Sequence, residues 1–131
     1  MNLLLDTQAL LWWRQGHRKL GARARAAIER QAVSVRVSAA SAWEMAIKSR
    51  AGRLTLREPL DVWLPAALED SGFGMLSVTV DHAIAVATLP DHHADPFDRL
   101  LIVQAQLEDL TIVTSDAAFE DYDVKLLDAR T

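Results

Sequence analysis

Leu3-Leu4-Leu5-Asp6-Thr7-Gln8-Ala9-Leu10-Leu11-Trp12-Trp13 is the stretch on which the fold turns. Leu3–Leu5 is a short apolar run that reads as a buried strand. From Thr7 to Arg14 the pattern becomes helical, until Gly16 breaks it. The same change of period recurs along the chain. Ala22–Gln31 reads as a second helix, rich in Ala, Arg and Glu. Val33–Val37 alternates apolar and polar residues and reads as a strand. Ser41 is expected to start a helix that runs to about Arg50 and stops at Gly52. Pro59 opens another, through about Asp70, before Ser71-Gly72.

Met75–Val80 is the third expected strand, and Asp81–Leu89 a helix stopped by Pro90. Asp95 then serves as N-cap and Pro96 as first residue of a helix to about Glu108. Leu110–Thr114 is a fourth strand, Ala117–Asp121 a short helical turn, and Val124–Leu127 a fifth candidate strand. Strands alternating with helices predict an α/β fold: three layers, α/β/α, around a mainly parallel sheet of four to five strands. No repeat or linker divides residues 1–131, so a single domain is expected.

Composition narrows the classes. An apolar fraction of 50% and a charged fraction of 24% describe an ordinary globular chain rather than a disordered one. With no cysteine there is no disulfide framework and no thiolate zinc site, which fits a cytoplasmic protein. The N-terminus lacks a basic n-region and carries Asp6 early, so it is a poor signal peptide. No apolar run approaches the roughly 18 residues that would suggest a membrane span. Charge is segregated. Residues 1–66 carry a balance of +6 and residues 67–131 a balance of −10. The basic half could follow a phosphate backbone or simply be solvated helix faces.

Four acids stand where apolar runs end or helices begin: Asp6, Glu44, Asp98 and Asp116. In an open parallel sheet, sites form beyond the carboxyl ends of the strands, where the strand order reverses. Asp6 and Asp116 follow the first and fourth strands. Clustered there, the four carboxylates would repel one another unless a hard divalent cation compensated them. Each acid also has a plain alternative. Asp6 reads equally as the cap of the helix from Thr7. Ser41-Ala42-Trp43-Glu44 has the spacing of a capping box, which favours a capping role for Glu44. Asp98 sits in a first turn, where the helix dipole favours an anion, and Asp116 precedes a short turn.

His92 and His93 are expected to be loop residues near such a site rather than metal ligands, since adjacent side chains diverge. Trp12 and Trp13 cannot share one helix face, so one should be exposed or covered by a partner. No glycine belongs to a phosphate-binding fingerprint, and no serine sits in a Gly-x-Ser-x-Gly elbow.

Taken in order, these segments resemble a known family. Residues 3–13, Ser41-Ala42-Trp43-Glu44-Met45-Ala46-Ile47-Lys48, Leu89 to Leu101 with its core Asp95-Pro96-Phe97-Asp98-Arg99, and Ile112-Val113-Thr114-Ser115-Asp116 are similar to the four motifs of PIN-domain proteins, in the branch of VapC-type toxin ribonucleases. The resemblance implies a Mg²⁺- or Mn²⁺-dependent endoribonuclease holding one or two ions. Asp6, Glu44, Asp98 and Asp116 would be its catalytic, metal-binding quartet, and Thr7, Asp95, Thr114 and Ser115 supporting groups. It also implies a homodimer and a small cognate antitoxin. Arg14, Arg18, Lys48 and Arg99 are candidates to grip RNA phosphates. Two rivals stand beside it. In a non-catalytic interaction module the acids would all be caps. A receiver-like signalling domain would want an acidic pair after the first strand, where only Asp6 stands.

Overall fold

A computed structural model describes residues 1–30 and 33–131. Gln31, the expected end of the second helix, lies outside the described residues. The elements are β1 (Leu3–Leu5), α1 (Thr7–Gln15), α2 (Ala22–Glu29), β2 (Val35–Ser38), α3 (Ala39–Arg50), α4 (Leu60–Ser71), β3 (Gly74–Leu76), α5 (Val80–Ala85), α6 (Pro96–Glu108), β4 (Thr111–Thr114) and β5 (Lys125–Asp128). Short 3₁₀ turns cover Val86–Thr88 and Ala117–Asp121. All five strands are parallel, in the order β3-β2-β1-β4-β5. The expected α/β architecture is therefore present, with the fifth strand formed.

β1 is central, and the leucine triplet shows why. Leu3 and Leu5 pack into the cluster built with α1, α2, α3 and α4. Leu4 points to the opposite face, among residues of α6 and β4 with Phe119 and Tyr122. All three are fully buried, as a strand covered by helices on both faces requires. Each such leucine gains about 1.5–3 kcal/mol from leaving water. The two clusters are the two interfaces of a three-layer sandwich. Among the described residues, no helix is long and apolar enough to cross a membrane.

Several boundaries differ from those expected. α3 begins at Ala39, capped by Ser38, whose Oγ accepts from the Ala40 N–H at 3.0 Å. The Ser41–Glu44 capping box therefore does not form. Ser41 and Glu44 lie inside the helix, and Glu44 is free of capping duty. β3 is short because Thr79 and His82 make a reciprocal capping box that starts α5 at Val80. Trp13 is covered by the chain itself: its indole N–H donates to Ser71 Oγ at 2.9 Å and its ring packs on Phe73. The exposed tryptophan is Trp43, 59% accessible.

Candidate active site

The chain runs β1, β2, β3 in one direction and then crosses β1 to add β4 and β5. The reversal lies between β1 and β4, whose residues pair Leu5 with Val113. Asp6 directly follows β1, and Asp116 comes two residues after β4. Glu44 reaches the same place from α3 and Asp98 from the first turn of α6. All four line one cleft of about 410 Å³, with Thr7, Ser115 and Asp95 beside them. A larger cleft, about 510 Å³, is lined by Arg14, Arg57, Glu58 and Trp63. It sets a single carboxylate, Glu58, beside two arginines, so the acidic cleft is the better candidate.

Capping and clustering turn out to share the same carboxyl groups. Asp6 Oδ1 accepts from the Ala9 N–H at 2.8 Å, fixing the group at the start of α1. Asp116 Oδ1 accepts from the Ala118 N–H at 2.9 Å, while its Oδ2 faces His93 at 3.9 Å. Asp95 Oδ1 accepts from the N–H groups of Phe97 and Asp98, so Asp95 is the cap of α6. Glu44 is held differently. The Thr7 hydroxyl donates to Oε1 at 2.5 Å, and the Lys48 ammonium meets Oε2 at 2.8 Å. Thr114 Oγ1 accepts from the Asp116 N–H at 3.0 Å and so links two of the acids through the end of β4.

The electrostatics are strained. Asp6 and Glu44 are each only 8% accessible. Burial pushes Asp6 up to about 6, and the charges of Glu44 and Asp116 add to the rise against hydrogen bonds from Thr114 and Ala9. Burial likewise raises Asp98 to about 6, with Asp95 and Glu44 adding and His93 opposing. Like charges have been taken from water, with Lys48 paired to Glu44 and His93 to Asp98 as opposing partners. That donor set fits a divalent cation: fixed carboxylate oxygens, an imidazole nitrogen and excess negative charge in a narrow cleft.

A family model described as "PIN domain" matches residues 3–125. The chain belongs to the PIN domain family. PIN domains are generally nucleases. No curated protein sequence matches the chain. Among solved structures, the PIN fold here is similar to a chain of VapBC2 from Rickettsia felis bound to a promoter DNA fragment, with TM-score 0.73, 15% identity, and coverage of 97% of this chain and 98% of that one. It is also similar to a chain of FitAB bound to an IR36 DNA fragment, with TM-score 0.65, 18% identity, and coverage of 98% and 96%. A third is FitAcB from Neisseria gonorrhoeae, with TM-score 0.63, 20% identity, and coverage of 97% of both chains.

The basic candidates separate in this PIN domain. Lys48 lines the acidic cleft, and Arg53, one of the basic residues of the first half outside the four named candidates, joins it. Arg14 pairs with Asp70 at 2.9 Å and lines the other cleft. Arg18 is exposed and lies outside the acidic cleft. Arg99 is turned inward. Its guanidinium donates to the carbonyls of Val86, Leu89, Pro90 and His93, which pins the loop ahead of α6. Its task is to hold that loop, because its N–H groups are already spent on protein acceptors. The signal the sequence offered for His93 was its place two residues before the Asp95 cap, which returns the loop to the acids.

Proposed function

We propose that this PIN domain is a Mg²⁺- or Mn²⁺-dependent endoribonuclease of the toxin type, with Asp6, Glu44, Asp98 and Asp116 as its metal-holding carboxylates. The observation that carries it is the convergence of these four acids in one cleft at the switch point, two of them raised to about 6 by burial and mutual repulsion. When bound, a divalent ion supplies charge neutralisation and Lewis acidity toward a phosphodiester and a water. The chain supplies position. Asp6 is locked by its cap, Glu44 by Thr7 and Lys48, and Asp98 by His93. Lys48 and Arg53 place positive charge on the cleft wall, where they would meet substrate phosphates. Thr114 Oγ1 holds the Asp116 N–H at the end of β4 so that Asp116 enters the cleft, and Ser115 lines it.

The resemblance to VapC-type toxins and the structural likeness to VapBC2 and FitAB chains support two partners, a cognate antitoxin and a second copy of the chain. Trp43 and Ile47, exposed on one face of α3 beside the cleft, are apolar surface suited to being covered. The test is Asp6→Asn. Asn keeps the cap of α1, so the variant should fold. It should lose at least about 10³-fold of metal-dependent cleavage of single-stranded RNA, about 4 kcal/mol at the transition state. Unchanged cleavage would overturn the assignment.

A further inference from the structure

The loop before α6 carries a side chain, His93, that does more than hold Asp98. His93 Nε2 lies 2.8 Å from Asp98 Oδ2 and 3.9 Å from Asp116 Oδ2. One ligand atom from each of the three residues lies within 4.8 Å of the other two. Donors bound to one small divalent ion at about 2.1 Å stand roughly 3 Å apart when adjacent and roughly 4 Å apart when opposite. His93 already stands at these separations from both acids.

The imidazole is also built in rather than loose. The His93 N–H donates to the Tyr122 hydroxyl at 2.8 Å, and its carbonyl accepts from Arg99 Nη1 at 3.3 Å. Its ring packs edge-on against Phe119, with centroids 6.4 Å apart, and Phe119 is fully buried. His92 next to it is exposed and packs its ring against Tyr122 instead. Adjacent histidines do diverge, as their spacing predicts, and one of them enters the site.

We propose, resting on the metal-nuclease function above, that His93 is a nitrogen ligand of the bound cation together with Asp98 and Asp116, and that it biases the site toward first-row transition ions over Mg²⁺. Without metal, Nε2–H donates to Asp98. Holding a cation, the imidazole would stay neutral, carry its proton on Nδ1 and offer the Nε2 lone pair as donor. Mg²⁺ prefers oxygen ligands and retains its waters, so an imidazole adds little to its binding. Co²⁺, and to a smaller degree Mn²⁺, gains more from a nitrogen donor.

The test is metal binding by the full chain stripped of metal. Co²⁺ is followed by its visible absorption, and Mn²⁺ and Mg²⁺ by calorimetry, for the unaltered chain, His93→Gln and Asp6→Asn. His93→Gln is expected to weaken Co²⁺ at least about tenfold and Mn²⁺ several-fold, with Mg²⁺ changed less than about twofold. An equal loss for all three ions, or none, would overturn the His93 assignment while leaving the nuclease function standing. An unaltered chain that binds none of them would overturn both. Should His93→Gln not fold, diamagnetic Zn²⁺ titrated into the unaltered chain with ¹⁵N-labelled histidine gives the same answer. A large shift of the His93 Nε2 resonance, with Nδ1 protonated, is expected, and an Nε2 that does not move as the ion binds would overturn the ligand role.

Discussion

Two buried polar clusters meet near the carboxyl end of the sheet, and they are built on opposite terms. Behind β2, Ser38 Oγ donates to Gln104 Oε1 at 2.6 Å, and Gln104 Nε2 donates to the Ser77 carbonyl at 3.3 Å. His82 Nδ1 accepts from the Thr79 N–H at 3.0 Å, and its Nε2–H donates to Glu108 at 3.3 Å. Ser38, Gln104 and His82 are buried more deeply than any acid of the cleft. Yet the network is neutral at its centre and each donor there meets an acceptor. In front of β1 and β4, the cleft gathers carboxylates of one sign, with Asp6 and Asp98 pushed up first by burial and then further by the neighbouring acids. Burial of polar groups therefore does not by itself distinguish a site from a scaffold. The imbalance of sign does.

The comparison can be broken at several points. The largest effect is expected on the acidic side, in activity. Glu44→Gln should lose about 10²–10³-fold of metal-dependent RNA cleavage while its thermal midpoint moves little, because Glu44 makes no cap. An equally large fall in stability would make Glu44 structural. On the neutral side, Gln104→Leu should cost about 2–4 kcal/mol in denaturant unfolding, since it takes the acceptor from the buried Ser38 hydroxyl and the donor from the Ser77 carbonyl. Its metal response should be unchanged.

A smaller effect has a definite sign with pH. Asp6 has its folded value raised above 3.8 to about 6, so its charged form weakens the metal-free fold. Stability tied to that proton is complete below about pH 4 and is lost as pH rises through about 6. Asp6→Asn, free of metal, should therefore melt higher than the unaltered chain at pH 7, by about 1–3 kcal/mol, and the gap should close near pH 4. A variant less stable at pH 7 would contradict the strain assigned to the cleft. Least affected should be Thr7→Val. It removes one hydrogen bond to Glu44, and a loss of about 3–10-fold in cleavage rate with the fold intact is expected.

Sequence pattern exposed much of this. Three leucines, an Asp and a change of period placed β1 and α1, and alternating elements yielded the parallel sheet and its switch point. The start of α3 was hidden because Ser38 and Ser41 are both good caps, and Glu44 at the capping-box spacing pointed to the wrong one. The end of β3 was hidden because Val78 and Val80 have strand character, while a Thr79–His82 side-chain pair decides for helix. Arg99 and His93 depend on where the loop folds back. Tyr122, 29 residues beyond His93 and 23 beyond Arg99, and the Asp98–Asp116 pair settle their directions, and local pattern carries no record of either.

The most direct test of the central claim is the thermal midpoint of the unaltered chain and of Asp6→Asn as Mn²⁺ or Mg²⁺ is titrated to about one hundred times its dissociation constant. Strained carboxylates that exist to hold a cation predict stabilisation of about 2.7 kcal/mol for the unaltered chain, roughly 5–15 °C at this size, with little change in Asp6→Asn. A flat response in both proteins across millimolar metal would contradict it.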